Sequence, residues 1–212
     1  IEIESTDCMC YNYRHRVCVA FKDRKEVIDM EKAFKFRIYP NKTQQVLLQK
    51  TFGCTRYIYN YFLAKRIELY KQDKSSMSYN QCSKELTVLK QELTWLKEPD
   101  KDALQKSLKD LDVAYKNFFA RPEAGFPKFK SKHDRHKSYR TSYTNGNIKF
   151  LVKKIQLPKL GKVKIKDKRT HLEGRILNAT VSREPDGKYY VSICCTDVLM
   201  VALETVNHNV GI

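Results

Sequence analysis

The chain has 212 residues, of which 42 % are hydrophobic, and its 41 Lys and Arg against 24 Asp and Glu leave a formal charge of +17. A chain of this length and apolar content buries a real core, which excludes a disordered tail, while so basic a surface calls for an acidic partner. The longest wholly apolar run, Val198 to Leu203, has six residues, far short of the roughly 20 a membrane helix needs.

The opening IEIESTDCMC carries acids where a signal peptide carries bases, and the seven cysteines include no C-x-x-C pair. Both features predict a reducing, cytoplasmic setting with buried thiols and argue against a zinc ribbon. Residues 1–29 hold five basic and six acidic residues, a balance of −1, so residues 30–212 carry +18. The step at Met30 predicts that residues 1–29 lie outside the fold, as read-through from upstream of a start at Met30 or as a disordered segment. An ordinary N-terminal extension is the plainer alternative.

From Met30 the periodicity is clear. Phe34, Phe36 and Ile38 alternate with Lys35, Arg37 and Tyr39, which predicts a half-buried strand over 30–40, closed by Pro40. A helix of about 30 residues follows, capped by Asn41 or Thr43, with Leu48, Phe52, Thr55, Tyr59, Phe62 and Leu69 on one face. Its other face carries Lys50, Arg56, Lys65, Arg66 and Lys71. Ser78 and Gln81 form a capping-box pair ahead of Leu86, Leu89, Leu93 and Leu96. Pro99 and Asp100 open a third helix with Leu104, Leu108, Leu111, Tyr115 and Phe118 as its stripe. These stripes predict a three-helix unit over 41–120, joined by ordinary helix–helix core.

Residues 121–170 then hold sixteen Lys or Arg against three acids, a local balance of +13. Within 121–147, the run Phe126-Pro127-Lys128-Phe129-Lys130-Ser131-Lys132 continues to Arg135, Lys137, Tyr139 and Arg140. Cations on alternate residues track a phosphate backbone, and interleaved rings stack on bases, so Lys128, Lys130, Lys132, Arg135, Lys137, Tyr139 and Arg140 are the candidate phosphate- or RNA-binding residues. A solvated charge run is the ordinary alternative. His133 and His136 lack a nearby Cys or carboxylate pair and make a poor metal site.

Short strands follow over 148–200: Ile148–Val152, Ile155–Leu157, Lys162–Lys166, and a hairpin. In the hairpin, Leu177, Ala179 and Val181 alternate, Glu184-Pro185-Asp186-Gly187 turns, and Tyr189, Val191, Ile193 and Cys195 alternate back. Together with strand 30–40 they predict an α+β fold, a small antiparallel OB-like β-barrel with the three-helix unit inserted.

Catalytic chemistry is nearly absent from the pattern. Metal-dependent nucleases gather carboxylates, whereas Glu85, Glu92, Asp110 and Asp112 fall on predicted exposed helical faces. Gly161 and Gly174 stand alone rather than in a phosphate-cradling loop, and Cys194 and Cys195 sit in a predicted strand as packing residues. No residue is assigned a catalytic or metal-ligating role.

The segments KAFKFRIYPNKTQ, TRYIYNYFLAKRIELYK, ALQKSLKDLDVAYKNFFA, FPKFKSK, SYRTSYTN, LPKLGKVKIK and DGKYYVSI resemble, in this order, the N-terminal half of the TnpB or OrfB proteins of bacterial insertion sequences. The resemblance runs from Met30 essentially to the end. It implies a protein once described as a transposase and understood as an RNA-guided DNA endonuclease related to type V CRISPR effectors. It also implies a wedge-like barrel and recognition helices that hold a guide RNA and a double-stranded target DNA in a bacterial, nucleoid-associated setting. A RuvC-like domain with a zinc ribbon would follow, bringing Mg²⁺ for cleavage and structural Zn²⁺.

By the same resemblance, Tyr79, Ser83, Lys101, Gln105, Thr144 and Asn145 match positions that read a short target-adjacent DNA motif. Asp102 departs from the family, where an aromatic residue can stand; an acid near DNA would weaken binding or change the motif. The last six residues, NHNVGI, match the start of the first catalytic strand, commonly Val-Gly-Ile-Asp, so residues 201–212 read as a linker and the beginning of that domain. A rival register puts Asn209 at the Asp. The expectation is therefore a nucleic-acid-binding piece without its own nuclease site. A decayed gene product, an active nuclease if the frame continues, and a ribosomal-type RNA binder are the alternatives.

Overall fold

The computed structural model describes residues 27–201 apart from 168 and 170; most of the 1–29 extension and the NHNVGI end lie outside the described residues. Strand β1 (Val27–Tyr39) starts three residues before Met30. Its ladder with β7 (Tyr189–Val201) therefore crosses the composition step, with Val27 opposite Val201 and Ile38 opposite Tyr189. Phe34, Phe36 and Ile38 are buried and Lys35 and Arg37 exposed, as alternation in a strand requires.

Helix α1 (Lys42–Asp73) opens on Asn41, whose Oδ1 accepts the Gln44 amide at 2.8 Å while the Asn41 amide donates to Gln44 Oε1 at 3.0 Å. The Gln44 side chain also donates to the carbonyls of Leu160 and Lys162, each at 3.1 Å, so one cap fixes the helix and anchors it to the sheet. Ser78 and Gln81 cap α2 (Tyr79–Glu92) in the same reciprocal way. A 3₁₀ turn, Thr94–Lys97, then carries Leu96 into the core and leads to α3 (Lys101–Ala120).

The three helices enclose their own cluster, with Ile58, Phe62, Leu63, Leu86, Leu104, Leu108 and Leu111 almost fully buried. Arg66, expected on the solvated face of α1, is buried among them at 8 % exposure. Its Nη2 lies 3.6 Å from Asp112 and 3.6 Å from Cys82 Sγ, and its guanidinium stands 5.1 Å over the Tyr115 ring. Those three neighbours come from α2 and α3, so the charge is taken inside only because the other helices supply its partners.

Strands β2 (Lys137–Ser142), β3 (Lys149–Leu151), β4 (Lys154–Leu157), β5 (Gly161–Ile165) and β6 (Arg175–Arg183) complete one antiparallel sheet, ordered β2-β6-β7-β1-β5-β4-β3. It curves around a single apolar cluster that also takes Leu48 and Phe52 from α1 and Ala103 from α3. The expected closed, OB-like barrel is instead an open sheet. Edge strand β3 has only three residues, and the outward amide of Ser142 on β2 donates to Asp102 of α3 rather than to a strand. A helix thus covers the edge that closure would have paired. Gly174, which stands alone in the sequence, has φ +78° just before β6, and a Cβ there would collide with the carbonyl of Thr196.

Candidate nucleic-acid interface

The basic segment is clamped to α1 at Lys130. Asn60 of α1 donates to the Lys130 carbonyl at 2.9 Å and accepts the Lys130 amide at 2.8 Å. The Lys130 ammonium stands 4.2 Å over the Tyr59 ring, and burial there pulls its pKa below the usual lysine value, against the opposing pull of Asp110 and Asp134. Lys130 is therefore an anchor first. Upstream, Phe126 meets Tyr115 and Phe118 edge-on at 5.7 and 5.4 Å.

On either side of that anchor the chain is open. Lys128, Lys132 and Arg135 are exposed with no ion pair among the described residues, and Phe129 presents a 56 % exposed ring. Lys137 is half-buried in β2. Tyr139, expected to bind RNA, is corrected by its position. Its ring is buried in the sheet core 5.7 Å from Phe52, and burial raises its hydroxyl pKa, so it has no face left for a base. Within the basic segment, residues 137–142 form strand β2, which turns Tyr139 and Thr141 inward and Arg140 outward. Arg140 donates to Asp110 at 2.6 Å across to α3.

Three of the six residues matched to motif reading, Tyr79, Ser83 and Gln105, meet. Tyr79 and Ser83 lie one turn apart on α2, and Lys101 and Gln105 one turn apart on α3. The Tyr79 hydroxyl donates to Gln105 Oε1 at 3.0 Å, and the Gln105 amide donates to Ser83 Oγ at 3.0 Å. Burial and the negative charges of Asp102 and Asp112 push the Tyr79 hydroxyl up. Lys101 is exposed at the start of α3.

Thr144 and Asn145 occupy the turn after β2. There the Thr144 amide donates to Asn147 Oδ1 at 2.8 Å, and Asn145 takes a left-handed φ of 49°. Asp102 ties this turn to α3 through the Ser142 amide. Its charge is thus partly committed to the fold, which tempers the cost expected of an acid at that position.

A third group escaped the sequence reading. Residues 149–166 contain seven lysines and no acid, all seven exposed. On the outer face of the sheet, Lys149, Gln156 and Lys162 form one rung, while Lys154, Lys164 and Tyr39 form the next. Lys154 stands directly opposite Lys164, an arrangement of like charges that costs stability unless an anion lies across it. The local charge balance carried this signal, but the facing needed the strand register.

Cys195 is buried and Cys194 half-buried in β7, and burial raises both thiols, which suits packing and not nucleophilic chemistry. Among the described residues no group of three or more His, Cys, Asp and Glu side chains could hold a metal ion, and no helix is long and apolar enough to cross a membrane. His136 Nε2 lies 3.8 Å from Glu184.

Residues 30–75 match the helix-turn-helix domain family of IS605 OrfB proteins. In this fold that stretch holds most of β1, all of α1 and the start of the loop to α2. A protein of Streptomyces pristinaespiralis named as an RNA-guided DNA endonuclease is 34 % identical over 83 % of this chain and 44 % of its own length. Another so named, InsQ of Escherichia coli (strain K12), is 36 % identical over 76 % of this chain and 39 % of its own. The virulence protein VsdF of Salmonella dublin is 33 % identical over 50 % of this chain and 98 % of its own. The chain spans about two fifths of the length of the two endonuclease relatives.

Proposed function

Because the chain belongs to the OrfB/TnpB family of insertion-sequence proteins, we propose that its described part is a module that holds target DNA and a guide RNA for DNA transposition. The meeting of Tyr79, Ser83 and Gln105 across α2 and α3 carries this reading. Two helices hold polar side chains in fixed orientations, which is what recognition of base edges in a duplex needs, and the Thr144–Asn145 turn follows a strand end that Asp102 ties to the start of α3. Lys101 supplies a cation beside it, and Lys128, Lys132 and Arg135 supply sequence-independent contacts to phosphates.

The open sheet takes the place of the wedge-like barrel. Its unpaired lysine face supports RNA as the second polyanion. DNA cleavage, with the Mg²⁺ it implies, belongs in this reading to residues outside 27–201, as does the structural Zn²⁺.

The test is retention of duplex DNA and of a structured RNA hairpin by the purified chain across a salt series. Affinity for both should fall steeply with salt, with a log–log slope of about −0.9 per phosphate neutralised on DNA. A duplex pool randomised at several positions should return an enriched short motif. A chain that retained neither polymer would end the proposal.

A further inference from the structure

An open cleft with about 200 Å³ of internal space lies between α1, α3 and the basic segment. Arg56, Lys130, Lys137 and Arg140 line it against two acids, Asp110 and Asp134. Phe52 and Tyr139 are also in its lining, both nearly buried. The cleft is preformed, because the Asn60 clamp fixes Lys130 on one side and the pairing of β2 with β6 fixes Arg140 on the other. Asp134 accepts the His136 amide at 3.1 Å and so shapes the loop.

Arg56 and Lys137 have no ion pair among the described residues, whereas Arg140 is bound at 2.6 Å by Asp110. That pair is open to water, with side chains 44 % and 41 % exposed, and an exposed pair of this kind contributes little to stability. A phosphodiester offers Arg140 the same two-oxygen geometry as a carboxylate and a stronger field from its neighbours on the strand.

We propose that the cleft is a phosphodiester site and that Asp110 holds Arg140 as an internal substitute for phosphate until nucleic acid arrives. The inference rests on the nucleic-acid reading above and adds a competition to it. Binding exchanges one anion for another on Arg140, with Arg56 and Lys137 completing the site, and Asp110 sets a threshold that discriminates against weak, non-specific polyanions. Arg56 thereby becomes a binding residue, although it is neither in the basic segment nor among the motif-reading positions.

The test measures the affinity of the full chain for duplex DNA and, separately, for a structured RNA hairpin at about physiological salt. Asp110→Asn should tighten binding by about threefold to tenfold, by removing the competing charge. Arg140→Gln should weaken it by about tenfold, and the double variant should match Arg140→Gln alone, because Asp110 acts through that arginine. Glu92→Gln, the same charge change on an exposed helical position, should leave affinity unchanged.

The polymer that responds identifies the source of the phosphate. A gain from Asp110→Asn that persists without Arg140, or that Glu92→Gln reproduces, would reduce the effect to net charge and overturn the competition. So would a weaker-binding or less heat-stable Asp110→Asn. If the unaltered chain binds neither polymer, the functional reading itself has failed, a result distinct from the others.

Discussion

The α2–α3 face and the basic segment hold their polar groups in opposite states. On the helices, Tyr79, Ser83 and Gln105 are bonded to one another, so their orientations are set before any ligand arrives. In the segment, Lys128, Lys132 and Arg135 are exposed with no ion pair among the described residues, whereas Lys130 stands over Tyr59 and Arg140 is joined to Asp110. Fixed, mutually satisfied groups discriminate among partners, because a mismatched one leaves them without compensation. Mobile cations contribute attraction that is indifferent to sequence. In the proposed function, the difference divides the labour of affinity and specificity between two surfaces of one small protein.

The sharpest break of this comparison is to remove the free cations. Replacing Lys128, Lys132 and Arg135 together by Gln should weaken binding about a hundredfold for every sequence tested and reduce the salt slope by about 3. Retained affinity in a filter-binding titration would show that the segment is only a solvated charge run. Phe129→Ala should cost about 1–3 kcal/mol on single-stranded nucleic acid, the range for one stacked base, with the melting temperature unchanged. Gln105→Ala should act the other way round. Preference for the selected motif should fall by about 1–2 kcal/mol while the salt slope stays put, as competition between cognate and scrambled duplexes would show.

Tyr139→Phe is the counterpart of the Phe129 variant and should not change binding at all. Its signature is in alkali. Burial raises the hydroxyl pKa above the ordinary 10.0, so the stabilisation from keeping Tyr139 neutral is complete below that value and lost as pH rises past it. The Phe variant should lose less stability than the parent between pH 10 and 11, by about 1 kcal/mol. Equal losses in the two proteins would mean that the ring is not buried as described.

The strands and helices were mostly legible because their signals are local. The Asn41 cap, the Ser78–Gln81 box and the Glu184–Gly187 turn each lie within a few residues, and each forms as the residue types dictate. Strand β2 was not legible. Lys137-Ser138-Tyr139-Arg140-Thr141-Ser142 offers one aromatic residue among polar ones, and it pairs with β6, 36 to 46 residues away in sequence. Thr141 reads as polar yet is fully buried, because Asp100 at the start of α3 accepts its hydroxyl at 2.6 Å. The same distance effect hid the lysine rungs and the interior place of Arg66.

Of the proposed interface, the sequence alone determined where the charge is concentrated and, through its ordered motifs, which polar residues match motif-reading positions. Composition and short-range pattern are properties of the chain, and no partner is needed to read them. Only the tertiary structure decided which of those residues are available. It withdrew Tyr139 into the core, set Lys130 on Tyr59, joined Arg140 to Asp110 and brought Gln105 to Tyr79 and Ser83. Each of those outcomes depends on a second element arriving at a few ångströms, and burial, pairing and exposure are set by that arrival rather than by residue type.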